Sequence, residues 1–154
     1  MKQKAEALHT ILQNYHDCVI FLHNTREPSV ADKIISEGFI FENQLSHTTD
    51  RINPSELVEI AYFMFQRKEY GPYTIVIAIP RRTYSLYTRY SNQFDIPIEE
   101  LMSKVRPWMG ENDEMTYTLA PEHIAGHFNN NTLEFRVNRF FNPDYISYRD
   151  RDEF

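Results

Sequence analysis

Residues 73 to 80, YTIVIAIP, are β-branched or apolar at almost every position, so a strand formed there is covered on both faces. This segment predicts a central strand, ended by Pro80. A shorter apolar run, CVIFL at 18–22, predicts a second buried strand. Helical patterns surround the two. Ala5, Leu8, Ile11 and Leu12 recur at helical spacing within 3–15. Pro28 suits a first helical turn ahead of Val30, Ile34 and Ile35, and Gly38 is placed to end that helix in a left-handed conformation. NPSELVEIAYFMFQRKEYG, starting through Asn53 and Pro54, turns Leu57, Ile60, Ala61 and Met64 inward and is nearly apolar all round, which predicts a well-buried helix.

The rest of the chain reads less regularly. FIFENQLSHTTD is strand or loop, and RRTYSLYTRYSNQFD is a polar, tyrosine-rich connection. Pro97 opens a further helix through Leu101 and Val105. EMTYTLAP predicts a strand, PEHIAGHF a short helical or turn segment, and LEFRVNRF a half-solvated strand. Helices and strands mixed without regular alternation predict an α+β fold. Residues 1–154 show no repeat, low-complexity tract or linker, and read as one domain with an N-terminal helix over 1–16 and a peripheral tail over 142–154.

A net charge of −6 argues against a binder that works by neutralising phosphates. The 4 glycines form neither a P-loop nor a dinucleotide GxGxxG pattern. The single cysteine, Cys18, excludes an intrachain disulfide and points to a reducing, cytoplasmic setting. No run approaches the length needed to cross a bilayer, so no membrane is expected. His123 and His127 are four apart and can share a helix face as metal ligands, but Gly126 weakens that helix and a third ligand is missing. RRTYSLYTRY interleaves Arg81, Arg82 and Arg89 with Tyr84, Tyr87 and Tyr90, a pattern shared by single-strand binders and by solvated aromatic loops.

HNTREPSVADKIISEGF, 23–39, resembles the first motif of ADP-ribosyltransferases of the diphtheria-toxin and poly(ADP-ribose) polymerase type, through His23, Thr25, Arg26, Ile35, Gly38 and Phe39. ENDEMTYTLAPEHIAG resembles the strand that carries that family's catalytic glutamate, with Glu114 as the match. Asn24 stands where the family has a glycine whose backbone N–H and C=O hold the nicotinamide carboxamide. The family's second motif has its nearest counterpart in LSHTTD, at Ser46, Thr48 or Thr49, and Tyr62 falls where relatives place the tyrosine that stacks on nicotinamide.

The resemblance implies one ADP-ribosyltransferase-like domain with a mixed, mainly antiparallel β core flanked by helices. It implies NAD as substrate, no metal, and a macromolecular acceptor that is a protein rather than a nucleic acid. Glu114 would bond the nicotinamide-ribose 2′-hydroxyl and stabilise an oxocarbenium-like transition state. His23 would bond the adenosine-ribose hydroxyl, and Arg26 would meet a phosphate. The alternative is a catalytically inactive NAD- or ADP-ribose-binding, or protein-interaction, domain on the same fold. Each residue also has a plainer reading: His23 as a structural histidine, Glu114 as part of a solvated acidic loop, Tyr62 as core, Arg26 paired with Glu27.

Overall fold

The computed structural model describes residues 2–151. The chain runs through α1 (Lys2–Leu12), β1 (Cys18–Thr25), α2 (Pro28–Glu37), β2 (Phe39–Glu42), β3 (Asp50–Ile52), α3 (Leu57–Arg67) and β4 (Tyr73–Pro80). It continues through α4 (Arg81–Phe94), α5 (Ile98–Met102), β5 (Trp108–Met109), β6 (Met115–Leu119), β7 (Ile124–Asn129) and β8 (Phe135–Val137). The fold is α+β. A five-stranded sheet has the order β3-β1-β4-β7-β8 and a three-stranded sheet the order β2-β6-β5. Every strand pairing is antiparallel among the described residues, so the β core is not mixed.

β4 lies at the centre of the large sheet, and Thr74 to Pro80 are all buried. Its alternation divides the core in two. Ile75, Ile77 and Ile79 pack with Val19 and Phe21 against the small sheet, through Phe39, Phe41, Tyr117 and Leu119. Val76 and Ala78 pack with Ile20 and Leu22 against α1 and α3, through Leu8, Leu12, Ile60 and Phe63. The doubly apolar segment is therefore covered by a helical layer on one face and by the second sheet on the other. Gly38 closes α2 at φ 110° and ψ 168°, outside the left-handed helical region that the sequence suggested. Its constraint is space as well as conformation: a Cβ there would lie 2.5 Å from the Leu119 carbonyl oxygen.

Five further sequence expectations need correction. The helix opened by Pro97 stops at Met102, leaving Val105 beyond it and exposed. Residues 81–94 form α4 rather than a polar connection, because Thr83, Tyr84, Tyr87 and Tyr90 recur at helical spacing and make an inward face of threonine and tyrosine. PEHIAGHF folds as a single 3₁₀ turn, Pro121–His123, followed by β7, which pairs with both β4 and β8. The helix expected from Asn53 begins at Leu57 and leaves Val58, Tyr62 and Phe65 exposed, since α3 is an outer layer with nothing beyond it among the described residues. The 142–154 segment is not peripheral as far as it is described: Ser147 is fully buried and Arg151 nearly so, with the Arg151 guanidinium donating to the Glu100 carbonyl at 2.6 Å. Met1 and residues 152–154 lie outside the described residues.

That C-terminal segment is held at Tyr87. The hydroxyl oxygen lies 2.7 Å from His123 Nε2, accepts the Ser147 N–H at 2.9 Å and donates to Ser147 Oγ at 3.3 Å. With the imidazole donating through Nε2, the hydroxyl uses its one proton and both lone pairs, and His123 Nδ1 remains as a bare buried acceptor. Burial pushes the Tyr87 pKa up to about 12 and the His123 pKa down to about 3, so both are neutral near pH 7. Tyr87→Phe strands two buried donors and should lower unfolding free energy by about 1–3 kcal/mol. Urea titration should show a reduced midpoint with unchanged slope; an unshifted midpoint would remove this contact from the stabilising set.

Candidate functional site

The Arg81 N–H bonds to the Asp17 carbonyl in register with the β1–β4 ladder. Bonded and non-bonded pairs alternate along an antiparallel ladder, so odd-numbered residues of β1 bond to β4 and even-numbered ones turn their N–H and C=O the other way. On that other side β3 pairs only with Ile20, Phe21 and Leu22. It begins at Asp50, opposite Leu22, and the ladder has ended before Asn24 is reached. The main-chain N–H and C=O of Asn24 therefore turn away from β4 at an open strand edge, with no protein partner among the described residues, although the residue as a whole is buried. The Asn24 backbone is extended, not left-handed, and its side chain is used in the fold: Nδ2 donates to the Arg67 carbonyl at 3.0 Å and Oδ1 accepts from Thr74 Oγ1 at 2.7 Å.

A cavity of about 180 Å³ lies on this edge. His23, Asn24, Thr48, Thr49 and Asp50 form one side, with Phe63, Arg67 and Tyr70 from α3 and the turn after it on the other. His23 Nδ1 donates to the Thr48 carbonyl at 2.7 Å, which leaves Nε2 of the neutral ring as an acceptor. Burial holds the His23 pKa below its ordinary value, and the bond to Thr48 offsets part of that effect. The ring also sits 4.8 Å from that of Phe39, the first residue of β2. Arg67 is fixed by a two-point pair to Asp50 at 2.7 and 3.2 Å, with its guanidinium 5.8 Å from the Tyr70 ring. Gly71 follows at φ 125°, and a Cβ there would collide with the Thr25 carbonyl, so the turn bearing Tyr70 can close on the end of β1 only with glycine.

His47 and Thr48 also line a second cavity, of about 320 Å³, together with Ile40, Phe41, Glu42, Asn43 and Glu114. Glu114 immediately precedes β6, and Glu42 on β2 pairs with Thr116 two residues further on, which brings the two carboxyls together. A hydrogen bond with Glu114, and then the repulsion of its charge, raise the Glu42 pKa.

Of the residues singled out from sequence, His23, Asn24, Thr48 and Thr49 line the first cavity, and Thr48 and Glu114 the second. Thr49 is buried, with its hydroxyl donating to the Leu45 carbonyl at 2.8 Å. Ser46 is exposed and lines neither. Tyr62 is exposed on α3, accepts a bond from Gln66 at 2.8 Å and lies outside both cavities. Arg26 is exposed, donating to the Glu69 carbonyl at 3.0 Å, while Thr25 packs beside Gly71. His123 and His127 serve other contacts: His127 Nε2 lies 2.9 Å from Asp32, and no group of three metal-type ligands occurs among the described residues. Sequence reasoning missed Asp50, Arg67, Tyr70, His47 and Glu42. The KEYGP turn, with glycine after tyrosine, was the available signal for Tyr70; nothing local marks Glu42. No protein-family model matches the chain, nor does any curated protein or solved structure at a significant level. No helix among the described residues is long and apolar enough to cross a membrane.

Protonating His23 is harder in the folded protein than in the unfolded chain, so below about pH 6.5 the unfolded chain binds more protons. The stability this histidine contributes is complete above that pH and is lost as pH falls toward its depressed folded value. His123 follows the same trend. Urea unfolding from pH 7.5 to 5 should show declining stability, with a shallower decline in His23→Gln; an equal slope in the variant would contradict the assignment.

Proposed function

We propose that this protein is an NAD-dependent ADP-ribosyltransferase, cleaving the nicotinamide–ribose bond and passing ADP-ribose to a macromolecular acceptor. The observation that carries the reading is the open edge of β1 at Asn24, where one N–H and one C=O point outward beside a cavity. A carboxamide needs one acceptor and one donor, and a strand edge presents such a pair at fixed spacing. The Asn24 side chain is tied to Arg67 and Thr74, so asparagine in place of glycine leaves that main-chain pair open.

In this reading the nicotinamide sits in the first cavity against Asn24, with the Tyr70 ring as its aromatic neighbour in place of Tyr62. His23 Nε2 accepts from an adenosine-ribose hydroxyl, and Arg26, three residues further along the chain, meets the diphosphate. Of the three candidates Ser46, Thr48 and Thr49, Thr48 alone lines both cavities and takes the place of the second motif. The dinucleotide extends past His47 and Thr48 to Glu114, whose carboxylate bonds the ribose 2′-hydroxyl. As the C1′–N bond breaks, positive charge gathers on the ribose and the carboxylate lowers its energy, while nicotinamide leaves neutral. The acceptor then attacks C1′ and gives up its proton.

A catalytically inactive NAD- or ADP-ribose-binding domain is the second reading. What favours it is that Glu114 and Asn24 line different cavities, with the His47–Thr48 segment shared between them. Nicotinamide release from NAD separates the two. Under the transferase reading, Glu114→Gln lowers release by about 100-fold or more. Calorimetric NAD binding without release supports the inactive domain, and absence of both overturns both readings. Tyr70→Ala should weaken NAD binding by about 1 kcal/mol, roughly fivefold, while Tyr62→Ala leaves it unchanged; the reverse pattern would return the aromatic role to Tyr62.

A further inference from the structure

β2 is an edge strand of the small sheet, paired on one side with β6 alone. Which of its backbone groups are used follows from two bonds. The Asn43 N–H donates to the Met115 carbonyl, and the Lys104 N–H donates to the Thr118 carbonyl on the far side of β6. By alternation, the odd-numbered residues of β2 bond to β6, and Ile40 and Glu42 turn their main-chain groups outward. The Glu42 carbonyl is taken up by the Gln44 N–H at 2.7 Å. The Ile40 N–H, the Ile40 C=O and the Glu42 N–H have no protein partner among the described residues.

This edge is neither bulged nor capped by proline or lysine; what guards it is its length of 4 residues and the charge of Glu42, which repels acidic strands and not basic ones. Beside it lies the cavity bounded by His47, Thr48 and Glu114, and Ile40 is 59% exposed. The two segments that carry the edge and its cavity have one sign of charge. Residues 38–45 and 110–119 hold Glu42, Glu111, Asp113 and Glu114 and contain no lysine or arginine. Neither Glu42 nor Glu114 has an ion-pair partner among the described residues.

We propose that the β2 edge is the docking site for an extended, basic segment of the acceptor protein, added to the small sheet as a further strand beside Glu114. Identifying that segment as the acceptor rests on the transferase reading; the docking itself does not. Side chains directly opposite one another share a face, so the added strand carries an apolar residue against Ile40 and, two positions along, a lysine or arginine against Glu42. The same charge excludes acidic segments from the edge.

The probe is a fluorescent nine-residue peptide alternating threonine with valine and lysine in turn, titrated into the full chain by anisotropy and followed by amide hydrogen exchange. Saturable binding is expected, weakening with salt and slowing exchange at Ile40 and Glu42, with at least tenfold loss for a peptide whose lysines are replaced by glutamate. Ile40→Pro removes an N–H that the fold leaves unbonded, and should cost at least tenfold in affinity with the thermal midpoint nearly unchanged. A peptide N-methylated at alternate residues, tried in both registers, repeats the test on wild-type protein should that variant fold poorly. No saturable binding, equal affinity for Ile40→Pro and for the methylated peptides, or protection away from Ile40 and Glu42 would overturn the proposal. So would self-association abolished by Ile40→Pro, which would assign the edge to a second copy of this chain. Nicotinamide release without peptide is scored separately, so docking without release retains the edge site and removes the transferase reading, and release without docking does the reverse.

Discussion

The pairing of β1 with β4 over eight residues, from Cys18 opposite Pro80 to Thr25 opposite Tyr73, holds the rest of the molecule in place. β4 is buried on both faces, so its apolar side chains require both the α1–α3 layer and the small sheet. Its long partner β1 then runs past the end of the three-residue β3. One side of β1 stays fully bonded while the other has no strand partner from Asn24 onward. The open edge is thus a result of unequal strand lengths on the two sides of β1, and the surrounding fold supports it without local strain.

The second open edge has a related origin. After β2 the chain turns through Asn43 at φ 60° and through the 3₁₀ turn Leu45–His47, then enters β3. That excursion takes it out of pairing with both sheets and places His47 and Thr48 on both cavities. Had β3 begun at Thr48, it would have reached Asn24, which lies opposite that residue in the β1–β3 register. Leu45 is buried and the Thr49 hydroxyl bonds the Leu45 carbonyl, so the excursion is a packed feature of the fold.

Segments whose side chains vary strongly in polarity were legible from sequence. The Pro28 helix and the strand before Pro121 carry a period that belongs to one type of structure, and the central strand is marked instead by a short, continuous β-branched run. Where the inward face is made of tyrosine and threonine, as in α4, polarity suggested a loop, because a hydroxyl-bearing ring counts as polar until its partner is known. Tyr87 is fully buried because His123 and Ser147, 36 and 60 residues away, satisfy its hydroxyl. α3 shows the opposite case: an apolar composition all round suggested burial, whereas burial depends on whether another layer lies outside the helix.

His23, Thr48 and Glu114 could be singled out by residue type and order, since a chain's chemical groups and their sequence separations are written in it. The sequence also determined that β4 would be central, that a single cysteine could form no internal disulfide, and that the fold would mix helices and strands without regular alternation. Tertiary structure alone decided that Tyr70 and Arg67 face Asn24, that Glu42 meets Glu114, and that the edges of β1 at Asn24 and of β2 stay unpaired among the described residues. Those facts depend on where neighbouring strands stop and which face of each helix finds a partner. Backbone N–H and C=O groups are the same at every position, so only pairing register reveals which of them remain open.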